Sequence, residues 1–189
     1  MTHSQLYLER LTSAIQAVDP STVDLVISRI AAARDSGATV FVCGNGGSAA
    51  TASHFATDLG KGASYGKDRR FRVVALTDSV PTITAYANDV GYESVFAEQL
   101  RGLGAAGDVL VTISGSGTSP NVIRAIEAAR EMAIDVVSLT GFEGGESGPM
   151  ADLHLNVPSS HMGRIEDVHM ALCHTIAFSF ISAEQHSLH

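Results

Sequence analysis

Five short apolar runs recur along this chain, at 38–43, 72–76, 109–113, 135–140 and 153–158, with helical patterns in most of the stretches between them. The runs are rich in Val, Ile and Leu and too short to be helices, so they read as buried strands. Parallel neighbours need a crossover of a dozen or more residues, usually a helix, and the intervening stretches supply that length. The pattern predicts an α/β fold, with one parallel five-stranded sheet carrying helices on both faces. At 189 residues the chain is long enough for a sizeable core, and no linker or low-complexity tract divides it, so 1–189 is expected to be a single domain.

The first 36 residues stand apart from this alternation. Helical periodicity covers 4–36 and breaks at Asp19-Pro20-Ser21. Leu8, Leu11, Ile15 and Val18 form one stripe, and Val23, Val26, Ile27 and Ile30 form another. Ser21 reads as an N-cap with Asp24 three residues on, and Gly37 as the stop. Apolar stripes with no strand to cover point to subunit packing, so 1–36 is expected to form an oligomer face and 37–189 the α/β core.

Ligands of such sheets sit at the carboxyl ends of the strands. Two loops there carry the chemistry of a ligand site. The third run empties into Ser114-Gly115-Ser116-Gly117-Thr118-Ser119, and a helical pattern follows from Asn121. Glycines let the backbone approach a ligand, hydroxyls donate, and the helix start adds unpaired N–H groups and a positive dipole end, which together make an anion cradle. No Walker lysine follows and the spacing is not GxGxxG, so neither a nucleotide nor an organic cofactor is expected. The first run ends in a second small-residue loop, Gly44-Asn45-Gly46-Gly47-Ser48.

Composition narrows the partners. A net charge of −8 with no basic stripe excludes a nucleic-acid surface. No apolar run is long enough to span a membrane, and the polar stretch 1–10 lacks the apolar core of a signal peptide. Cys43 and Cys173 sit in apolar runs far apart and read as reduced, buried thiols. The expected location is the cytoplasm.

Acid–base residues cluster on two helices. His54 and Asp58 are four apart on the helix after the first loop, and Glu166 and His174 are eight apart on the last helix (164–183), with His169 between them. One such pair alone is ordinarily a surface interaction, but two of them beside two ligand loops suit proton shuttling next to a carbonyl. The same two imidazoles and two carboxylates also match a zinc-type ligand set, and spacing leaves both readings open. His3, His161, His186 and His189 lack such company and read as surface or terminal residues.

The order of these motifs carries a resemblance. Gly44-Asn45-Gly46-Gly47-Ser48-Ala49-Ala50 followed by His54-Phe55-Ala56 resembles the sugar isomerase (SIS) domain family, and within it the phosphoheptose isomerases. Ala87-Asn88-Asp89, Ile113-Ser114 with Ser116-Gly117 and Ser119, Leu139-Thr140-Gly141 with Gly144-Gly145, and Val157-Pro158 with Arg164-Ile165 extend the likeness over nearly the whole chain. The resemblance implies an aldose–ketose isomerase that converts sedoheptulose 7-phosphate to a manno-heptose 7-phosphate through an enediol. It implies that Ser114, Gly115, Ser116 and Ser119 hold the phosphate, and that Asn45, Gly46, Gly47, Ser48, Asn88, Asp89 and Glu166 line the sugar site. Asp58 is then the base between C1 and C2, and His174 its acid partner. One divalent metal, zinc first, is implied at His54, Asp58, Glu166 and His174, and a homotetramer with sites between subunits.

Two positions depart from the family. Its usual glutamate is here Asp58, shorter by one methylene or about 1.5 Å, and its usual glutamine is Glu166, which adds a negative charge. Both changes favour a bound cation. The arginine expected after the first core helix is also absent, with Gly62 in its place and Lys61 beside it. Two alternatives stay open: an isomerase of another phosphosugar, and a non-catalytic SIS protein that binds a phosphosugar or bridges partners.

Overall fold

The computed structural model describes residues 1–181. Its elements run α1 (His3–Gln16), α2 (Pro20–Ser36), β1 (Thr39–Gly44), α3 (Gly47–Thr57), β2 (Arg72–Ala75), α4 (Val80–Asp89), α5 (Ala97–Leu103), β3 (Val109–Ser114), α6 (Pro120–Glu131), β4 (Asp135–Gly141), α7 (Ser147–Met150), β5 (Leu153–Val157) and α8 (Met162–Phe178). All strand pairs are parallel, in the order β2-β1-β3-β4-β5. The five expected runs are the five strands, displaced by a residue at most at either end.

Side chains alternate across the sheet and build two cores. Val40, Val42, Val109, Val111 and Ile113 face α2, α3 and α8, where they meet Val26, Ile30, Ala52, Phe55, Val168 and Ile176. Phe41, Cys43, Leu110 and Val136 face the other way, onto Leu100 of α5 and Val122, Ala125 and Ile126 of α6. Each fully buried Val, Ile or Phe contributes roughly 1.5–3 kcal/mol relative to exposure.

The N-terminal helices depart from the sequence reading in two ways. Asp19, not Ser21, caps α2: its carboxylate accepts the Ser21 N–H at 3.0 Å, and Pro20 fills the first helical position, where its missing N–H costs nothing. Those bonds from Ser21 and Thr22 lower the Asp19 carboxyl to about 2. Gly37 does end the helix, in the left-handed conformation at φ 77°. Further, the α2 stripe is covered by its own chain, since Val23, Val26, Ile30 and Ala33 belong to the protomer core. Apolar surface is left outside at Leu8 and Ile15 of α1 and at Leu25 of α2.

Asn88 and Asp89 form the last turn of α4, because the N–H groups of Val90 and Gly91 both bond back to Tyr86 O. The last helix starts two residues early, capped by His161, and stops at Phe178. Its expected end at Ala183, with His186 and His189, lies outside the described residues.

Candidate active site

The order β2-β1-β3 means that the chain leaves β1 toward one side of the sheet and β3 toward the other. Accordingly α3, after β1, packs on the first core and α6, after β3, on the second. The carboxyl ends of β1 and β3 gape where this reversal occurs, the usual place for a ligand in an open α/β sheet. Register pairs Gly44 with Ile113, so Asn45 and Ser114 start neighbouring loops. A cleft of about 250 Å³ lies here, bounded by Asn45, Gly46, Gly47 and Ser48, by Ser114, Gly115, Ser116 and Ser119, and by Met162 and Glu166 of α8.

The serine loop is held from below. Gly117 takes φ 66°, and a Cβ there would stand 2.3 Å from Gly144 O, so only glycine fits. Its carbonyl accepts N–H bonds from Glu146 and Ser147, and Gly115 O accepts one from Gly141. Ser114 Oγ accepts the Gly117 N–H at 3.2 Å and Ser116 Oγ accepts the Thr118 N–H at 3.3 Å. The Ser116 hydroxyl hydrogen stays available to a ligand, while Ser114 Oγ and Ser119 Oγ stand 3.5 Å apart. Ser119 begins α6 without a side-chain cap bond. The arrangement suits an oxyanion.

Asn45 has a different occupation. It exchanges amide hydrogen bonds with buried Asn121 at 2.8 and 2.9 Å, and its Oδ1 also accepts from Tyr92 Oη at 2.9 Å. The side chain thus ties the first loop to α6 and to the short 3₁₀ turn Tyr92–Ser94. Neither Asn121 nor Tyr92 stood out in the sequence. An asparagine two residues after the cradle was the available signal. Asn88 donates to Asp89 at 2.7 Å, and Asp89 lines a separate groove over α4 with Pro81 and Tyr86; neither borders the cleft.

Where α3 runs into a single π-helical turn, Asp58–Gly62, Asp58 is the first residue of that turn, and such turns favour functional positions. Lys61 of the same turn is exposed. α3 and α8 run side by side, so His174 of α8 arrives beside His54 and Asp58. Nε2 of His174 lies 3.1 Å from Nε2 of His54, and Asp58 Oδ2 stands 3.3 Å from His54 and 3.7 Å from His174. Asp58 Oδ2 is buried with no aligned hydrogen-bond donor. Cys173 is pushed well up by burial, and the Asp58 charge adds to it.

Three of the four expected ligands are therefore gathered; Glu166 is not among them. It lies two turns earlier on α8, with its carboxylate against Gly47 in the cleft. The three observed separations bracket the roughly 3.3–3.4 Å ligand–ligand edge of a tetrahedral zinc with bonds of about 2.0–2.1 Å. With a buried carboxylate oxygen lacking a donor, the set fits a divalent cation. His169, between the two, is fully buried and faces neither: its Nε2–H donates to Thr140 O at 3.0 Å.

Known proteins share this sequence pattern and fold. Residues 6–141 match the SIS domain family model. The phosphoheptose isomerase of Helicobacter pylori (strain Shi470) is 37% identical over 170 residues, covering 89% of this chain and 85% of that one. The structure of phosphoheptose isomerase from Neisseria gonorrhoeae superposes with a TM-score of 0.86 at 35% identity, covering 94% and 95% of the two chains. That of a phosphoheptose isomerase from Francisella tularensis gives 0.84 at 31% identity, covering 95% and 98%. The chain belongs to the SIS domain family, among its phosphoheptose isomerases.

Proposed function

We propose that this protein interconverts sedoheptulose 7-phosphate and a manno-heptose 7-phosphate. The observation that carries the reading is the convergence of Asp58, His54 and His174 at a second point along the α3–α8 pair, away from the serine cradle. Gly47 to His54 spans seven residues and Glu166 to His174 eight, which is roughly 10–12 Å of helix. An extended seven-carbon sugar phosphate measures about 10 Å from C1 to phosphorus on ordinary bond lengths. A phosphate at Ser114, Ser116 and Ser119 thus leaves C1 and C2 near Asp58 and His174.

In this reading the Asp58 carboxylate removes the C2 proton of the aldose and returns it to C1, on one face of a cis-enediol. His174 moves protons at the two oxygens, giving one to the carbonyl as the enediol forms and taking one from the other hydroxyl. Ser48 and Glu166 face the sugar chain, while Asn45 fixes the glycine loop through Asn121 and Tyr92. A divalent metal, zinc first, would be held by His54, Asp58 and His174. Bound there, it would polarise the carbonyl as a Lewis acid.

We further read the protein as a single-domain cytoplasmic homotetramer. Exposed Leu8, Ile15 and Leu25 on the N-terminal helices support subunit contacts. Two free thiols support a reducing compartment, Cys43 being pushed up to about 12 by burial. Among the described residues no helix is long and apolar enough to cross a membrane.

Proton NMR of the protein with sedoheptulose 7-phosphate in D₂O tests the reading. The expected product carries deuterium at C2. Saturable binding without exchange over hours would leave a sugar-phosphate receptor instead.

A further inference from the structure

We propose that Tyr7 is a positioning residue for the cleft: through it α1 holds the first two turns of α8, and with them Met162 and Glu166, against the serine loop. The inference rests on the phosphosugar reading above. The start of α8 has two working faces. On one, Met162 and Glu166 line the cleft. A Cβ on Gly115 would overlap Met162 Sδ, and one on Gly141 would overlap the Ile165 side chain, so this face is seated directly on the cradle and the end of β4.

The opposite face is taken by Tyr7. Its Oη–H donates to Asp167 Oδ2, 160 residues away in the chain, at 2.6 Å. That bond raises the phenol above its usual value and so keeps it the donor. The Arg164 guanidinium lies over the Tyr7 ring, 5.9 Å from its centre, and the ring of His161, the helix cap, meets it edge-on at 5.6 Å. Gly163 leaves room for the phenol, since a Cβ there would stand 3.1 Å from Tyr7 Oη. Leu11 and Ala14, one and two turns further along α1, pack on the first core, so the ring projects from an anchored helix. A shift of about 1 Å in a group that positions substrate costs up to on the order of a hundredfold, so a contact that fixes the tilt of α8 is felt in the cleft. Asp58, His54 and His174 lie two turns farther along the α3–α8 pair. The contact therefore bears on substrate binding and leaves the proton-transfer groups in place.

The test is steady-state kinetics with sedoheptulose 7-phosphate, beside calorimetric titration, for wild type, Tyr7→Ala, Tyr7→Phe and Asp167→Ala. Tyr7→Ala is expected to raise KM and Kd together by roughly tenfold while kcat stays within about twofold, the mark of lost uniform binding. Tyr7→Phe keeps the ring contacts with His161 and Arg164, so it should recover most of that loss and leave a rise of about threefold. Asp167→Ala removes the same hydrogen bond from the α8 side, and combining it with Tyr7→Phe should add nothing further. Circular dichroism and light scattering establish that each variant is folded and assembled as wild type is; should Tyr7→Ala fail there, Tyr7→Phe, which lacks one hydroxyl, carries the test with Asp167→Ala. A lowered thermal midpoint with KM unchanged is the signature of a merely structural contact and overturns the proposal. A fall in kcat at unchanged KM overturns it as well, because the contact would then act on the Asp58–His174 cluster. If wild type neither binds nor turns over the sugar phosphate, the phosphosugar reading itself falls, and this inference with it.

Discussion

His174 and His54 meet ring nitrogen to ring nitrogen, Nε2 to Nε2, at 3.1 Å, with Asp58 Oδ2 within 3.7 Å of both. Two neutral imidazoles cannot both aim lone pairs at one point without a shared proton or a cation between them. Zinc added to the protein is expected to raise the thermal midpoint, and a chelator to reverse the rise. At a hundredfold excess over Kd the gain is about 2.7 kcal/mol, or on the order of 5–10 °C for a chain of this size. His174→Ala should abolish the response. A midpoint indifferent to both zinc and chelator in wild type would argue that the cluster shares a proton instead.

The base assignment has its own test. Asp58→Asn keeps the size of the side chain but removes its basicity, so turnover should fall on the order of 10²–10⁴-fold. Binding of sedoheptulose 7-phosphate should be nearly unchanged, because the cradle lies two turns away. Equal losses in kcat and in affinity would mean that Asp58 holds substrate rather than moving its proton.

Two serines of one loop should behave differently. Ser119 makes no cap bond to α6, so Ser119→Ala should weaken phosphosugar binding several-fold with little change in stability. Ser114 Oγ also accepts the Gly117 N–H. Ser114→Ala should therefore weaken binding and cost about 1 kcal/mol of stability as well. Thermal denaturation beside titration separates the two effects; identical profiles for both variants would contradict the loop geometry.

How much of this was legible in the sequence follows from which signals are local. Strands such as Val109–Ser114 are buried on both faces and read as unbroken apolar runs, so the sheet was legible. The serine and glycine loops were legible because backbone approach and hydroxyl donation need those residue types. The α2 cap was misplaced because Asp19 and Ser21 both suit the position, and Pro20 decides between them only once the helix start is fixed. Residue spacing could not say whether Glu166 joins His174: eight residues share a face but lie two turns apart, and only the position of α3 decides. Asn121 and Tyr92 act on Asn45 from 76 and 47 residues away, a relation no local pattern contains.

His169 makes stability depend on pH. Burial pulls its imidazole down from 6.5 to about 4, with the bond to Thr140 O opposing weakly. The unfolded chain takes up this proton below about 6.5 and the native protein does not, so the unfolded state binds more protons between the two values. Stability should fall as pH drops from about 6.5 to about 4, by on the order of 3 kcal/mol from this group. His169→Gln, which keeps a donor toward Thr140, should flatten that part of the pH profile while lowering stability near neutrality. A profile as steep as that of wild type would place the linkage elsewhere.

The two N-terminal helices should respond to truncation in different ways. Ile30 of α2 is fully buried against the sheet, so Ile30→Ala removes core volume and is expected to cost about 2–5 kcal/mol. Leu8 of α1 is 60% exposed, and its removal leaves no cavity within the protomer. Under the tetramer proposal Leu8→Ser should lower the mass seen by light scattering while the circular dichroism of the protomer survives. Ile30→Ala should do the reverse, lowering the thermal midpoint before it changes the assembly. An unaltered mass for Leu8→Ser, and for Ile15→Ser beside it, would move the subunit contact off the outer face of α1.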